Sequence, residues 1–301
     1  MPVELKLGLV GLDTSHCVAF AKLLNDPAAA DHVPGGRVVA GFPGGSDDFE
    51  LSRSRVTKFT EELRDQFGVT ILESPEAVAE QVDAVLITSA DGRVHLEQFR
   101  KIAPFGKPTF IDKPLAVTTA DAKAIIELAM EQGVPMMSSS SLRFAQPMIE
   151  ALRDHSSPII GADCSGPMAL EPTQPGLFWY GIHTVEMLYA TMGPGCERLT
   201  ATRTEDHELV VGTWSDGRIG TVRGHRNASG SFGALIHRKK GLQFVDAYNH
   251  PRPAYAGLLE RVLAMFRTGT SAIHPVETLE VIRFIEAANE SRERGEMVEL
   301  N

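Results

Sequence analysis

Apolar residues in the first 140 positions come in short unbroken runs, each followed by a polar or glycine-rich corner and a stretch of helical spacing. Residues 5–10 form the first run, and 15–24 the helix after it, with Val18, Leu23 and Leu24 among its apolar positions. Further strands are predicted at 37–41, 69–72, 82–88, 108–111 and 134–137, and helices at 58–67, 74–81, 95–102 and 119–132. Such runs read as strands buried on both faces, and their alternation with helices predicts a doubly wound parallel sheet. Ser74-Pro75 reads as an N-cap followed by proline at the first helical position.

After Pro147 the rhythm changes. Helices are predicted at 148–154 and 182–192 and a strand at 159–165. Strands at 198–204, 208–214, 219–224, 231–237 and 242–245 then follow with no helix between them. Ser215-Asp-Gly-Arg218 is a hairpin turn signal. Amphipathic helices at 255–267 and 276–292 close the chain. The expected fold is therefore α/β: an N-terminal Rossmann-type doubly wound sheet over 1–118, then an α+β domain with a mainly antiparallel open sheet over 119–301. A closing helix is free in this reading to pack back on the first domain.

A length of 301 residues suits two domains, and 43% hydrophobic with 23% charged content is ordinary for a globular protein. The net charge of -10 argues against nucleic acid or an anionic membrane as the main partner, leaving a small molecule. Cys17, Cys164 and Cys196 are far apart with no CxxC pair, a reduced, cytoplasmic pattern without disulfide framework or zinc cage. Glu4 and Lys6 interrupt any signal sequence, and no run of 18 apolar residues occurs. Asn227-Ala-Ser229 matches a glycosylation sequon and is read as chance.

Candidate chemistry gathers at predicted strand ends. Asp112 and Lys113 close the run at 108–111, on the side of an open α/β sheet where ligands collect, and Pro114 biases the backbone of Lys113. A lysine held there beside a carboxylate polarises a substrate oxygen or relays a proton; the rival reading is a surface lysine. Gly11-Leu-Asp-Thr-Ser-His16 stands where a dinucleotide fold has its glycine-rich turn, with Asp13 and His16 at the second and third glycine positions. A carboxylate at Asp13 repels phosphate unless it turns away to cap the helix, and Asp13, Thr14 and Ser15 all cap well. The second strand runs into Phe42-Pro-Gly-Gly-Ser46 with acids only at Asp47 and Asp48, so NADP is at least as plausible there as NAD. Ser46 offers a hydroxyl to an adenosine ribose, and a flexible loop is the plain alternative. Ser89 and His95 bound the loop after the strand at 82–88, on the same ligand side.

Together these features resemble the Gfo/Idh/MocA oxidoreductase family over nearly the whole chain. Its Glu-Lys-Pro motif is matched by Asp112-Lys113-Pro114, its loop histidine by His95, and its Arg-Phe-x-Pro segment by Arg143-Phe144 and Pro147. Gly181-Ile-His183 with Glu186, and the terminal segment Glu286-Ala-Ala-Asn-Glu-Ser291, match its second half. The resemblance implies an NAD- or NADP-dependent dehydrogenase of sugar- or polyol-like substrates, pairing into a homodimer or homotetramer through the C-terminal sheet. It implies Lys113 and His183 as catalytic residues meeting across an interdomain cleft, with Arg143, Trp179, Tyr180 and His183 at the substrate. Gly11, Asp13, Thr14, Ser15, His16, Ser46, Ser89, His95, Asp112 and Lys113 fall to the cofactor. Trp179 stands where family members often carry an aspartate, so His183 needs another orienting group, with Glu186 or a backbone carbonyl as candidates. The stretches Gly11–His16 and Phe178-Trp-Tyr-Gly-Ile-His183 look like one subgroup of the family.

Two rival functions share these residues. His183 and Glu186, at i and i+3, have the spacing to reach one metal, with His16, His95 and Arg143 near, as in a lyase or isomerase. A chain with an altered phosphate loop also suits a catalytically impaired ligand or nucleotide sensor.

Overall fold

The computed structural model describes residues 3–227 and 230–300, so Ala228 and Ser229 of the sequon lie outside the described residues. In chain order the elements are β1 (Leu5–Val10), α1 (Ser15–Asn25), β2 (Gly36–Phe42), α2 (Glu50–Phe67), β3 (Thr70–Ile71), α3 (Pro75–Gln81), β4 (Ala84–Ile87), α4 (His95–Ile102), β5 (Thr109–Asp112), α5 (Thr119–Glu131) and β6 (Met136–Ser139). There follow α6 (Gln146–Arg153), β7 (Ile159–Pro167), α7 (Gly181–Met192), β8 (Cys196–Arg203), β9 (His207–Trp214), β10 (Ile219–His225), β11 (Gly233–Arg238) and β12 (Gly241–Asp246). The chain closes with α8 (Ala254–Thr268), α9 (Pro275–Arg294) and β13 (Val298–Glu299).

The chain divides into two compact units. The first holds a six-stranded sheet of order β3-β2-β1-β4-β5-β6, parallel at every pairing. All four residues of β4, β5 and β6 are buried; β4 is wholly apolar, whereas β5 and β6 end in the polar Asp112 and Ser138-Ser139. Asn25 at the end of α1 exchanges two 2.8 Å hydrogen bonds with the backbone of Val38, fixing that helix against β2. Helix α2 begins at Glu50, well before the predicted start at 58. Only Ser52 and Leu63 are buried along it, so its solvated first turns show no apolar period. Ser74 caps α3 through the Ala77 amide, as predicted.

The boundary expected at 118 is corrected. Segments Met1–Ala116, Ala120–Ser139 and Tyr255–His274 form the first unit, because β6 completes the parallel sheet and α5 is its crossover. Val117–Thr119, Ser140–Ala254 and Pro275–Asn301 form the second.

The second unit is a seven-stranded sheet of order β12-β11-β7-β10-β9-β8-β13, antiparallel except where β7 meets β10. Helices α7 and α9 cover one face, where Tyr189, Trp214 and Phe284 pack ring against ring. Glu280 of α9 accepts from the Tyr189 hydroxyl and the Gly195 and Cys196 amides, tying α9 to the start of β8. Strand β13 is a short edge the pattern did not reveal. By register, Leu209, Ile219, Leu242 and Phe244 share the other face and are exposed there, around a Thr221–Asp163–His237 hydrogen-bond chain. Among the described residues no helix is long and apolar enough to cross a membrane.

Candidate active site

In the first unit the C-terminal strand ends bring three loops together. Gly11 has φ +90°, and a Cβ there would lie 2.1 Å from Ser89 Oγ and 2.4 Å from Ser89 N. Glycine is what lets the loop after β1 lie against the end of β4. The Gly11 and Leu12 amides donate to the Phe42 and Pro43 carbonyls, lacing the same loop to the end of β2.

Asp13 settles how a carboxylate is tolerated at the second glycine position. It does turn away, but not to cap the helix. Its Oδ2 accepts from Ser52 Oγ at 2.6 Å and its Oδ1 from the Ala90 amide at 2.9 Å. Ser52 Oγ in turn accepts from the Ser46 amide. Thr14 is the N-cap of α1, accepting from the His16 amide. Burial pushes the Asp13 carboxyl up, against the hydrogen bonds from Ser52 and Ala90. The helix N-terminus at Ser15 thus carries its own partial positive charge with the carboxylate drawn into the loop core.

His16, at the third glycine position, packs against Phe20 and Tyr255, with ring centroids 5.9 and 5.0 Å away. Its Nδ1 lies 2.5 Å from Asp112 Oδ2. Burial pushes the Asp112 carboxyl up, but the charges of His16 and Lys113 outweigh it and bring it to about 2. Asp112 is therefore ionised, and His16 Nδ1 donates. Lys113 follows half-buried, joined to Pro114 by a cis peptide bond.

Two residues assigned to the cofactor prove to be internal supports. His95 is fully buried, with Nε2 3.0 Å from the Ser89 carbonyl and Nδ1 2.9 Å from that of Pro114. The Ser89 side chain is buried and bonded to Gln98. His95 ties the loop after β4 to the loop that carries Lys113, and the Ser89 side chain ties the same β4 loop to α4. Ser46 differs: its hydroxyl is buried and has no hydrogen-bond partner in the protein.

In the second unit His183 stands in the first turn of α7, sharing a 2.7 Å hydrogen bond between Nδ1 and Ser140 Oγ. Tyr180 and Phe232 flank its ring at 5.8 and 5.6 Å, and Trp179 packs on Tyr180. Ser140 is thus a partner of the ring that the sequence did not suggest. Glu186 is engaged elsewhere, because its Oε2 accepts from Arg143 Nε at 2.7 Å. Arg143 Nη1 also binds Glu277, so this arginine is the centre of a triad with Glu186 and Glu277, while its Nη2 is buried with no hydrogen-bond partner in the protein. Burial pushes the Glu186 carboxyl up against the opposing charge of Arg143. The same pairing removes the basis for a His183–Glu186 metal site, and among the described residues no group of three or more His, Cys, Asp or Glu is placed to hold a metal. The serine run 138–141 was the one sequence signal for Ser140; Glu277 left none beyond its place in the first turn of α9.

A parallel 3-2-1-4-5-6 sheet with a helix N-terminus at the end of β1 defines the class of dinucleotide-binding α/β proteins. Residues 52–140 match the Gfo/Idh/MocA model, described as an oxidoreductase family with an NAD-binding Rossmann fold. It is 28% identical over 135 residues to inositol 2-dehydrogenase of Paracoccus denitrificans, a match spanning 39% of this chain and 38% of that protein. The crystal structure of apo scyllo-inositol dehydrogenase from Lactobacillus casei is similar throughout, with TM-score 0.82, 14% identity, and 100% of this chain and 99% of that one covered. That of GenD2 from gentamicin A biosynthesis, in complex with NAD, gives TM-score 0.79 and 18% identity over 100% and 97%. At these identities the structural likeness shows the fold.

Proposed function

We propose that this protein is a nicotinamide-dinucleotide-dependent dehydrogenase acting on a hydroxyl-bearing, sugar- or polyol-like substrate. The observation that carries the reading is Lys113 at the end of β5, beside an ionised Asp112 held by His16, within a segment matching an NAD-binding oxidoreductase family. The inositol dehydrogenases among the similar proteins support the substrate class.

The loop residues fit a dinucleotide. Gly11 lets the loop after β1 lie against Ser89, and the inward turn of Asp13 keeps its charge off the N-terminus of α1. The backbone amides at Thr14 and Ser15 would hold the pyrophosphate, the His16 amide being taken by the Thr14 cap, and the unpartnered Ser46 hydroxyl an adenosine ribose. When bound, the nicotinamide supplies the hydride acceptor or donor. Lys113, charged, holds the substrate hydroxyl oxygen and stabilises the developing alkoxide. His183, oriented by Ser140, takes the hydroxyl proton as general base. Trp179 and Tyr180 offer aromatic faces to the C–H surfaces of a sugar-like ring. The exposed apolar face bearing Leu209, Ile219, Leu242 and Phe244 supports self-association through the seven-stranded sheet.

Inositols, hexoses and linear polyols, each offered with NAD or NADP, test the reading by the absorbance of the reduced cofactor and by thermal shift. The expected result is a dinucleotide-dependent rise in Tm and reduction with at least one polyol. A protein that binds neither dinucleotide below millimolar concentration keeps the fold and loses this function.

A further inference from the structure

We propose that Asp48 and Arg93 make the cofactor site discriminate against NADP, so that the protein uses NAD; this rests on the dinucleotide reading above. In a sheet of this order the adenosine ribose lies beyond the C-terminal end of β2. There the chain runs Phe42-Pro-Gly-Gly-Ser-Asp-Asp48, and the adjoining loop after β4 runs Thr88-Ser-Ala-Asp-Gly-Arg-Val94. NADP differs from NAD by a phosphate on that ribose, and a site that accepts it needs a cation with donors to give.

Arg93 is the only cation of these two loops, and each of its three nitrogens donates to a carboxylate of the protein. Nη1 and Nη2 reach both oxygens of Asp48 at 2.9 and 2.8 Å. Nε and Nη2 reach Asp91 at 2.9 and 2.7 Å. Asp91 is only 1% exposed, so its pair with the guanidinium is a buried one and holds Arg93 in the loop. Asp47 stands beside the clamp with a third carboxylate. Three acids against one arginine leave this corner negative, a setting that repels a phosphate dianion and accepts neutral ribose hydroxyls. The next cation along the chain, Arg53 in the first turn of α2, is exposed, pairs with Glu50 and reaches the Asp47 carbonyl at 3.5 Å. Ser46, whose buried hydroxyl lacks a protein partner, adds a neutral group suited to a hydroxyl. The acids five and six residues past Phe42 thus tip towards NAD a choice in which the sequence left NADP at least as plausible.

Titration calorimetry of the purified chain with NAD and with NADP tests this. NAD should bind tighter by about tenfold or more at low salt, and the ratio should shrink at about 0.5 M salt, where exposed charges are screened. Asp48→Asn removes one negative charge and releases part of Arg93, so it should narrow the ratio by about threefold or more. Arg53→Ala should leave it within about twofold. Equal or tighter binding of NADP by the unaltered protein, or a ratio indifferent to Asp48→Asn, overturns the preference alone. A ratio that moves with Arg53→Ala instead overturns the assignment to Arg93. Binding of neither cofactor overturns the dinucleotide reading itself, and the preference with it.

Discussion

His16 Nδ1 donates to Asp112 Oδ2 across 2.5 Å, joining the first turn of α1 to the end of β5. Two departures from the family pattern, a histidine at the third glycine position and an aspartate for the glutamate before Lys113, are thus one feature. The aspartate is the imidazole's partner, and the charge beside Lys113 is fixed by a group on a different loop.

The pair has a consequence for acid stability. Asp112 is lowered from 3.8 to about 2 in the folded protein, so its contribution is present above about pH 4 and lost as pH falls towards 2. The shift corresponds to about 2 kcal/mol. His16→Ala should forfeit a large part of this, lowering stability at neutral pH and moving the acid unfolding midpoint upward. Circular dichroism against pH checks it; an unmoved midpoint would show that His16 does not hold the Asp112 charge.

Restoring the glycine fingerprint should weaken the protein. Asp13→Gly removes the acceptor of Ser52 Oγ and the Ala90 amide, leaving buried donors unpaired at about 1–3 kcal/mol each. Urea denaturation should show a loss of this order, with no gain in dinucleotide affinity by calorimetry. Unchanged stability with tighter binding would mean that Asp13 is a burden on the loop and not its anchor.

Arg143 should behave as a structural residue. Arg143→Ala strands Glu186 and Glu277 in a buried setting, and loss of one partner of such a pair costs about 3–5 kcal/mol. The expected signature is a large fall in Tm that Arg143→Lys only partly restores. A variant with normal Tm and a raised KM would return Arg143 to the substrate.

The parallel sheet was legible because β4 and most of β1 and β5 are buried on both faces and leave short apolar cores, Leu7–Val10, Ala84–Ile87 and Phe110-Ile111. The same pattern could not place α5 and β6 in the right unit, since membership is set by pairing partners and not by local period. Lys113 and His183 announced themselves through motifs. Ser140 and Glu277 did not, because each acquires meaning only when a residue 43 or 134 positions away folds against it. His95 misled for the opposite reason: a histidine in a ligand-side loop can face inward, where two backbone carbonyls occupy its ring.

Self-association through the open sheet face can be read from a single charge. Phe244 is 72% exposed among Leu209, Ile219 and Leu242, so Phe244→Glu should leave a monomer where the unaltered protein sediments as a dimer or tetramer. A monomer in both samples at micromolar concentration would remove this interface.

The account turns on Lys113 acting at the substrate and not as a surface charge. The direct measurement is turnover of Lys113→Ala, beside His183→Ala, with a polyol substrate and saturating cofactor, together with cofactor affinity by calorimetry. Loss of the charged group at the alkoxide, or of the base, should lower turnover by about 10²–10⁴ while cofactor Kd stays within a few-fold. Near-normal turnover in Lys113→Ala would contradict the mechanism, leaving a dinucleotide fold whose chemistry lies elsewhere.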